Sequence, residues 1–232
     1  MRLNILAVDT ALGACSVAMA TDGALRAHAF ELMARGHAEA LAPMTDHVMR
    51  EAGCAFAELA RLGVTVGPGT FTGQRIGLAF VRGLALALNI PAIGVTTLDA
   101  MIEAAFAEKN APWALCAADA KRGELYVSAR AAGGEELIAP ALLGVAQAAV
   151  LAAQVARAAG PEFLCAGTGA GLILGPLQDR GLRPYSVAIH QPDARFVARL
   201  ALRATPAGGA PRPLYLRAPD AKLPEKRSPR AK

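Results

Sequence analysis

Several residue types and patterns are scarce in this 232-residue chain, and each shortage removes a class of protein. Aromatic residues make up 5% of the composition while hydrophobic residues reach 54%, so the core must be built from Ala, Val, Leu and Ile. The four cysteines (15, 54, 116, 165) stand far apart with no Cys-x-x-Cys pair. That excludes a zinc ribbon and a disulfide framework, and fits reduced thiols in the cytosol. The four histidines (28, 37, 47, 190) contain no pair four residues apart and no His-Glu-x-x-His, so no helical metal site is encoded. No apolar run reaches the about 18 residues that cross a bilayer. The opening segment meets Asp9 after four apolar residues, too short for a signal-peptide core. The expected compartment is the cytoplasm, with no membrane contact.

Charge is unevenly placed. The formal net charge of +5 matches the stretch from Arg212 to Lys232, which holds seven basic and two acidic residues and leaves the rest neutral. The excess is therefore read as a Pro-containing, flexible basic tail over 206–232 and not as a basic face. Such a tail is either merely solvated or weakly drawn to RNA.

What is present is a pattern that runs twice. Leu3–Val8 reads as a buried strand ending in Asp9-Thr10, followed by returning strands at Cys15–Ala20 and Leu25–Leu32. A helix over Ala38–Ala52, a strand at Leu62–Val66, a helix over Gln74–Leu88 and a strand at Ala92–Val95 come next, and Thr97 is read as capping a further helix. From Trp113 the order restarts with a strand to Ala118, then Asp119, strands at Glu124–Ala131 and Glu135–Ala139, and a helix near Gln147–Ala159. A strand at Phe163–Ala166 and a last helix near Asp193–Arg203 follow. Both halves open as strand, Asp, three residues, Gly, strand, with Asp9 to Gly13 and Asp119 to Gly123. This predicts an α/β protein with a duplicated ribonuclease-H-like fold, as in actin-like ATPases and sugar kinases. The expected division is 1–100 for the first lobe and 101–205 for the second, ahead of the tail.

The most distinctive segment is Gly67-Pro68-Gly69-Thr70-Phe71-Thr72-Gly73-Gln74-Arg75-Ile76-Gly77, a glycine-rich loop entering a helix. It lacks Gly-Lys-Ser/Thr and Gly-x-Gly-x-x-Gly, so it is neither familiar phosphate loop. Two readings stay open. One is an anion or nucleotide site using Gly67, Gly69, Thr70, Thr72 and Gly73 with Asp9, Thr10 and Asp119. The other is a tight turn that needs glycine dihedrals, with Thr72 as the helix cap. The helix behind the loop is apolar nearly all round, and Arg75 and Arg82 share its narrow polar stripe. On the preceding helix, Ala38, Ala42, Thr45, Met49 and Ala52 form a ridge read as facing the sheet. Leu41, Met44 and Val48 form a second ridge beside it, flanked by His37 and His47 and read as an exposed docking patch.

These residues resemble the TsaB (YeaZ) family. The resemblance rests on Val8-Asp9-Thr10 with Cys15-Ser16-Val17-Ala18, on Gly36-His37 with Leu41-Ala42-Pro43-Met44, and above all on the glycine loop. Asn89-Ile90-Pro91, Gly94-Val95-Thr96-Thr97-Leu98, Asp119-Ala120-Lys121-Arg122-Gly123-Glu124 and Pro213-Leu214-Tyr215-Leu216-Arg217 complete it, over about residues 3–219. The resemblance implies a bacterial partner subunit in making N6-threonylcarbamoyladenosine beside the anticodon of tRNAs reading codons that begin with A. The implied partner is TsaD, a related metal-binding transferase. The ATP-hydrolysing TsaE and the synthase of threonylcarbamoyl-AMP would complete the system, with tRNA reached only through the complex.

Where the catalytic relatives carry two metal-binding histidines, this chain has Thr97 and Met101. Neither replaces imidazole, so the resemblance implies no intrinsic metal or cofactor and no catalysis, with nucleotide left to the complex interface. The contact is expected through His37, Leu41, Met44, Val48, Arg75, Ile76 and Phe80, with a homodimer on the same surface when TsaD is absent. The rival readings are a metal-dependent glycoprotease or transferase in its own right, an actin-like or sugar-kinase-like ATPase, and a peptide-binding module.

Overall fold

The computed structural model describes residues 2–206 and 208–217. Its first sheet is built from β1 (Asn4–Asp9), β2 (Ala14–Thr21), β3 (Ala24–Leu32), β4 (Arg61–Gly67) and β5 (Ala92–Thr96), in the order β3-β2-β1-β4-β5. β1 pairs antiparallel with β2 and parallel with β4, so Asp9 faces Ser16 across one ladder and Val8 faces Val64 across the other. The second sheet repeats the plan with β6 (Trp113–Lys121), β7 (Glu124–Ala131), β8 (Glu136–Gly144), β9 (Glu162–Ala166) and β10 (Arg183–Ser186). Read from β8, its order 8-7-6-9-10 matches 3-2-1-4-5 strand for strand, with the same mixture of parallel and antiparallel pairs. The duplicated fold is as expected.

Among the described residues six α-helices form the layers: α1 (His37–Glu51), α2 (Phe71–Leu88), α3 (Thr97–Glu108), α4 (Val145–Ala159), α5 (Ala170–Gln178) and α6 (Ala194–Arg203). α1 and α2 cover one face of the first sheet, where Leu6, Val8, Val17 and Met19 meet Leu41, Val48, Leu78 and Val81. α6 covers its other face, against Ile5, Ala7 and Ile93. α4 and α5 cover the outside of the second sheet, over a core that includes Trp113 stacked on Phe163 at 3.9 Å. α3 lies on its inside, with Leu98, Met101 and Ile102 against Ala114, Cys116 and Leu164. α3 and α6 are thus the filling between the two sheets. α6 falls within the 101–205 span expected for the second lobe, yet it packs on the first sheet. Gly63 makes room for this, because a side chain there would press into Ala201 and Val197.

Three local readings are corrected. The caps are Thr70 and Thr96, whose hydroxyls accept from Gly73 N at 3.0 Å and Asp99 N at 2.9 Å, and not Thr72 and Thr97. In each pair the earlier threonine is the extended residue just outside the helix, where a side chain can reach back to the third amide. α5 and β10 were not anticipated, because Gly171, Gly175 and Pro176 read as breakers in a segment that α4 and β9 hold in place. Finally, residues 211–217, counted in the flexible tail, lie along the body. Leu214 N donates to Val66 O at 2.7 Å, and Arg82 grips the Pro211 carbonyl through two nitrogens at 2.9 and 2.5 Å. Residues 207 and 218–232 of that tail lie outside the described residues.

Candidate functional site

The glycine loop closes onto the end of β1. Thr70 N donates to Ala11 O at 2.8 Å, Gly73 N to the Thr70 hydroxyl, and Gln74 N to Thr70 O at 3.1 Å. The Thr10 hydroxyl donates to Gly73 O at 2.7 Å and accepts from Gly77 N at 3.1 Å, which pins the first turn of α2 to the strand end. A Cβ on Gly69 would collide with the Ala11 carbonyl, and one on Gly73 with the Thr10 carbonyl. Gly67 adopts φ +106°, where only glycine is at ease, and its peptide to Pro68 is cis. The glycines therefore serve close packing of loop on strand. The amides of Thr70, Gly73 and Gln74 are engaged within the chain, while Thr72 lies exposed.

The second half uses the same device. Gly169 N donates to Ala117 O at 2.8 Å, and the Thr168 hydroxyl accepts from Asp119 N at 2.9 Å. A Cβ on Gly167 would strike the Ala117 carbonyl. Here too a glycine pair lets a loop rest on the backbone of the half's first strand.

The two paired aspartates differ sharply. Asp9 is fully buried; it accepts from the Thr65 hydroxyl at 2.5 Å and from Ala11 N at 3.2 Å, and its second oxygen has no partner among the described residues. Burial pushes its carboxyl up to about 7 against the pull of those two donors, and the nearby Asp193 adds to the rise. Asp119 reaches solvent and is bound by Lys121, whose ammonium lies 2.7 Å away and whose amide lies 2.8 Å away. Those hydrogen bonds hold its carboxyl below the usual value. Between the halves, Leu12 and Ile189 pack against the α3 layer, and the Gln191 side chain accepts from Gly13 N at 2.8 Å. At this junction Asp193 pairs with His28 at 3.0 Å and with Arg195 at 2.8 Å. Burial alone would raise Asp193, but hydrogen bonds from His28 and Arg195 outweigh it and hold it at about 2.

The residues expected to form an exposed docking patch are distributed differently. Leu41 and Val48 are 1% and 0% exposed and lie in the core, and His37 is buried with its Nε2 3.1 Å from the Leu12 carbonyl. The ridge expected to face the sheet is split, since Ala38 and Ala42 are open while Thr45 and Met49 are buried. The reason is area. Leu, Val and Met remove far more apolar surface than Ala when they turn inward. Thr45 can follow them because its hydroxyl donates to Leu41 O at 2.8 Å. Met44, Ile76 and Phe80 are half-buried, while Ala79, Gly83 and Leu86 face outward, Leu86 with 85% of its surface exposed.

Arg75 is exposed but occupied. Its guanidinium lies 3.6 Å above the Phe71 ring, and Nε donates to the Tyr215 hydroxyl at 3.0 Å. Part of α2 is therefore covered by the chain's own C-terminal segment. Thr65, Asp193 and Tyr215 were missed from sequence; for Tyr215 the signal was an apolar-aromatic run inside an otherwise basic stretch.

Among the described residues no three His, Cys, Asp or Glu gather as a metal cluster, and no helix is long and apolar enough to cross a membrane. Thr97 and Met101 are both fully buried on α3.

Comparison with known proteins places this architecture. Residues 31–168 match the family model of TsaD, tRNA N6-adenosine threonylcarbamoyltransferase. The tRNA threonylcarbamoyladenosine biosynthesis protein TsaB of Escherichia coli K12 is 43% identical over 124 residues, 53% of each chain. The chain spans about half the length of the curated relatives it matches. A Pseudomonas aeruginosa protein described as similar to peptidase YEAZ superposes with a TM-score of 0.78 at 30% identity, over 93% of this chain and 100% of that one. Component A of the Acidaminococcus fermentans (R)-2-hydroxyglutaryl-CoA dehydratase, 12% identical with a TM-score of 0.50, shares the fold alone over 87% of this chain and 98% of that one. With a family model that matches more than half of its residues and a solved relative matched along its full length, the chain belongs to the TsaB (YeaZ) family, within the group that the TsaD model describes.

Proposed function

We propose that this chain is a non-catalytic partner of TsaD in forming N6-threonylcarbamoyladenosine on tRNA. The observation that carries the reading is the state of α3. At the two positions where catalytic relatives hold metal-binding histidines, Thr97 and Met101 are core residues with no exposed surface, and Met101 packs in the layer that joins the sheets. A hydroxyl and a thioether sealed in an apolar layer offer a divalent ion neither ligands nor access. The engaged amides of the glycine loop and the burial of Asp9 support the same conclusion for nucleotide within the isolated chain. Nucleotide then belongs at the interface with TsaD, and tRNA is met only in the complex, which also contains TsaE.

The docking face is the outer surface of α2 with Met44 of α1, centred on Ile76, Ala79, Phe80 and Leu86. An apolar helix face open to solvent and bordered by Arg75 has the makeup of an interface core. Without TsaD the same face pairs two copies of this chain.

Reconstitution tests the reading. The purified chain alone, given tRNA, ATP, threonine and bicarbonate, yields no threonylcarbamoyladenosine. Adding TsaD, TsaE and the threonylcarbamoyl-AMP synthase yields product that disappears when this chain is omitted. Product formed without TsaD, or an undiminished yield without this chain, sinks the proposal.

A further inference from the structure

The loops that follow β1 and β10 meet between the halves, where Leu12 and Ile189 share one cluster and Gly13 N donates to the Gln191 side chain, and in open α/β sheets the carboxyl edge is where ligands enter. One short segment crosses it. Pro211 receives Arg82 of α2 and lies against Gly94, Leu214 N joins the carbonyl of Val66 at the end of β4, and Tyr215 stacks on Phe71 with ring centres 5.7 Å apart. Two residues later the chain is at the other sheet. Arg217 donates to the Ala120 carbonyl at 2.8 Å and to the Glu124 carboxylate at 2.5 Å, on the turn joining β6 and β7. Three residues of extended chain reach about 10 Å, and the arginine side chain covers the rest.

The anchorage differs in kind at the two ends. On the first sheet it is a backbone bond, a stacked ring and a clamped carbonyl. On the second, among the described residues, it is the Arg217 guanidinium in a charge-assisted, two-pronged grip, of the sort that gives geometric definition as well as energy. The turn it grips is already ordered: Asp119 holds Lys121 through amide and ammonium. Arg217 is about one-quarter exposed and Glu124 about two-fifths, so the pair is neither sealed nor freely solvated.

We propose that Pro211–Arg217 is a clasp that fixes the angle between the two sheets, with Arg217 as its releasable end. The clasp and the docking face share α2, so a protein seated there touches the clasp's fixed end.

Distance measurement in the full chain tests it. Spin labels at Asp46→Cys on α1 and Arg157→Cys on α4, in a Cys54→Ser background and diluted with unlabelled protein, report the separation of the outer layers. The parent gives one narrow distribution. Arg217→Ala broadens it about twofold or more toward longer distances and speeds amide exchange over 121–125 by about tenfold, as expected for local opening. Glu124→Gln produces a smaller change of the same kind. Arg212→Ala, an exposed arginine in the same segment, changes neither readout. Unaltered distances in both Arg217→Ala and Glu124→Gln, with folding confirmed by circular dichroism, overturn the proposal. So does an equal effect from Arg212→Ala.

Discussion

Asp9 shows how a residue can be readable in position and unreadable in role. Its place after a buried strand, repeated by Asp119, is plain in the sequence. Its burial is not, because Thr65 arrives from a strand 56 residues away and Asp193 from the far end of the chain. The consequence is measurable. Asp9 titrates at about 7 in the folded protein and near the ordinary 3.8 when unfolded, so folding takes up a proton between those values. Stability therefore falls as pH rises from about 4 to about 7 and is flat beyond. Asp193 has the opposite sign: held at about 2, it contributes stability above about 4 that is lost as pH falls toward 2. The pair places the stability maximum on the acid side of neutrality. Denaturant midpoints taken from about pH 4 to about pH 8 should decline, and Asp9→Asn should flatten the decline. An unchanged slope in that variant would refute the assignment.

At the scale of elements, period was legible and orientation was not. The spacing of Leu41, Thr45, Val48 and Met49 announces an amphipathic helix, but two adjacent ridges compete for the sheet, and only packing decides between Ala and Leu. The structure turns the larger side chains inward, so the discriminating substitutions are now separate sets. Leu41→Ala should cost about 2–5 kcal/mol of stability, and Leu41→Glu should prevent folding. Ala79→Glu and Leu86→Glu lie on the open side of α2, so each should move stability by no more than about 0.5 kcal/mol. Both should nevertheless abolish co-purification with TsaD. Retained binding in folded Leu86→Glu and Ala79→Glu would move the docking face elsewhere. The glycine loop fits this scale too. Its residues mark a glycine-rich strand-to-helix turn, whereas two of the acceptors that engage its amides, Ala11 O for Thr70 N and the Thr10 hydroxyl for Gly77 N, come from far earlier in the chain.

For the whole molecule, the duplication could be read because each half repeats the same order of strands. The return of the last helix could not. Val197, Ala198 and Ala201 make an amphipathic stripe that would suit either sheet, and the choice rests on Gly63 leaving space beneath them. Arg61 then seals the arrangement by donating to the carbonyls of Ala201, Leu202 and Ala204 at 2.6–3.1 Å. A chain ending before Asp193 should therefore lose cooperative unfolding altogether, where loss of an independent terminal helix would leave a lower but sharp transition. Calorimetry separates the two outcomes.

The position of α6 also orders events at the ribosome. Every strand of the first sheet has been synthesised once Thr96 is made, yet the helix that covers Ile5, Ala7, Ile93 and Val95 begins at Ala194. At about 5–20 residues per second, the interval is on the order of ten seconds. Through that time the nascent chain carries an uncovered apolar sheet face, so this protein's birth, more than its mature form, is where a chaperone would find it.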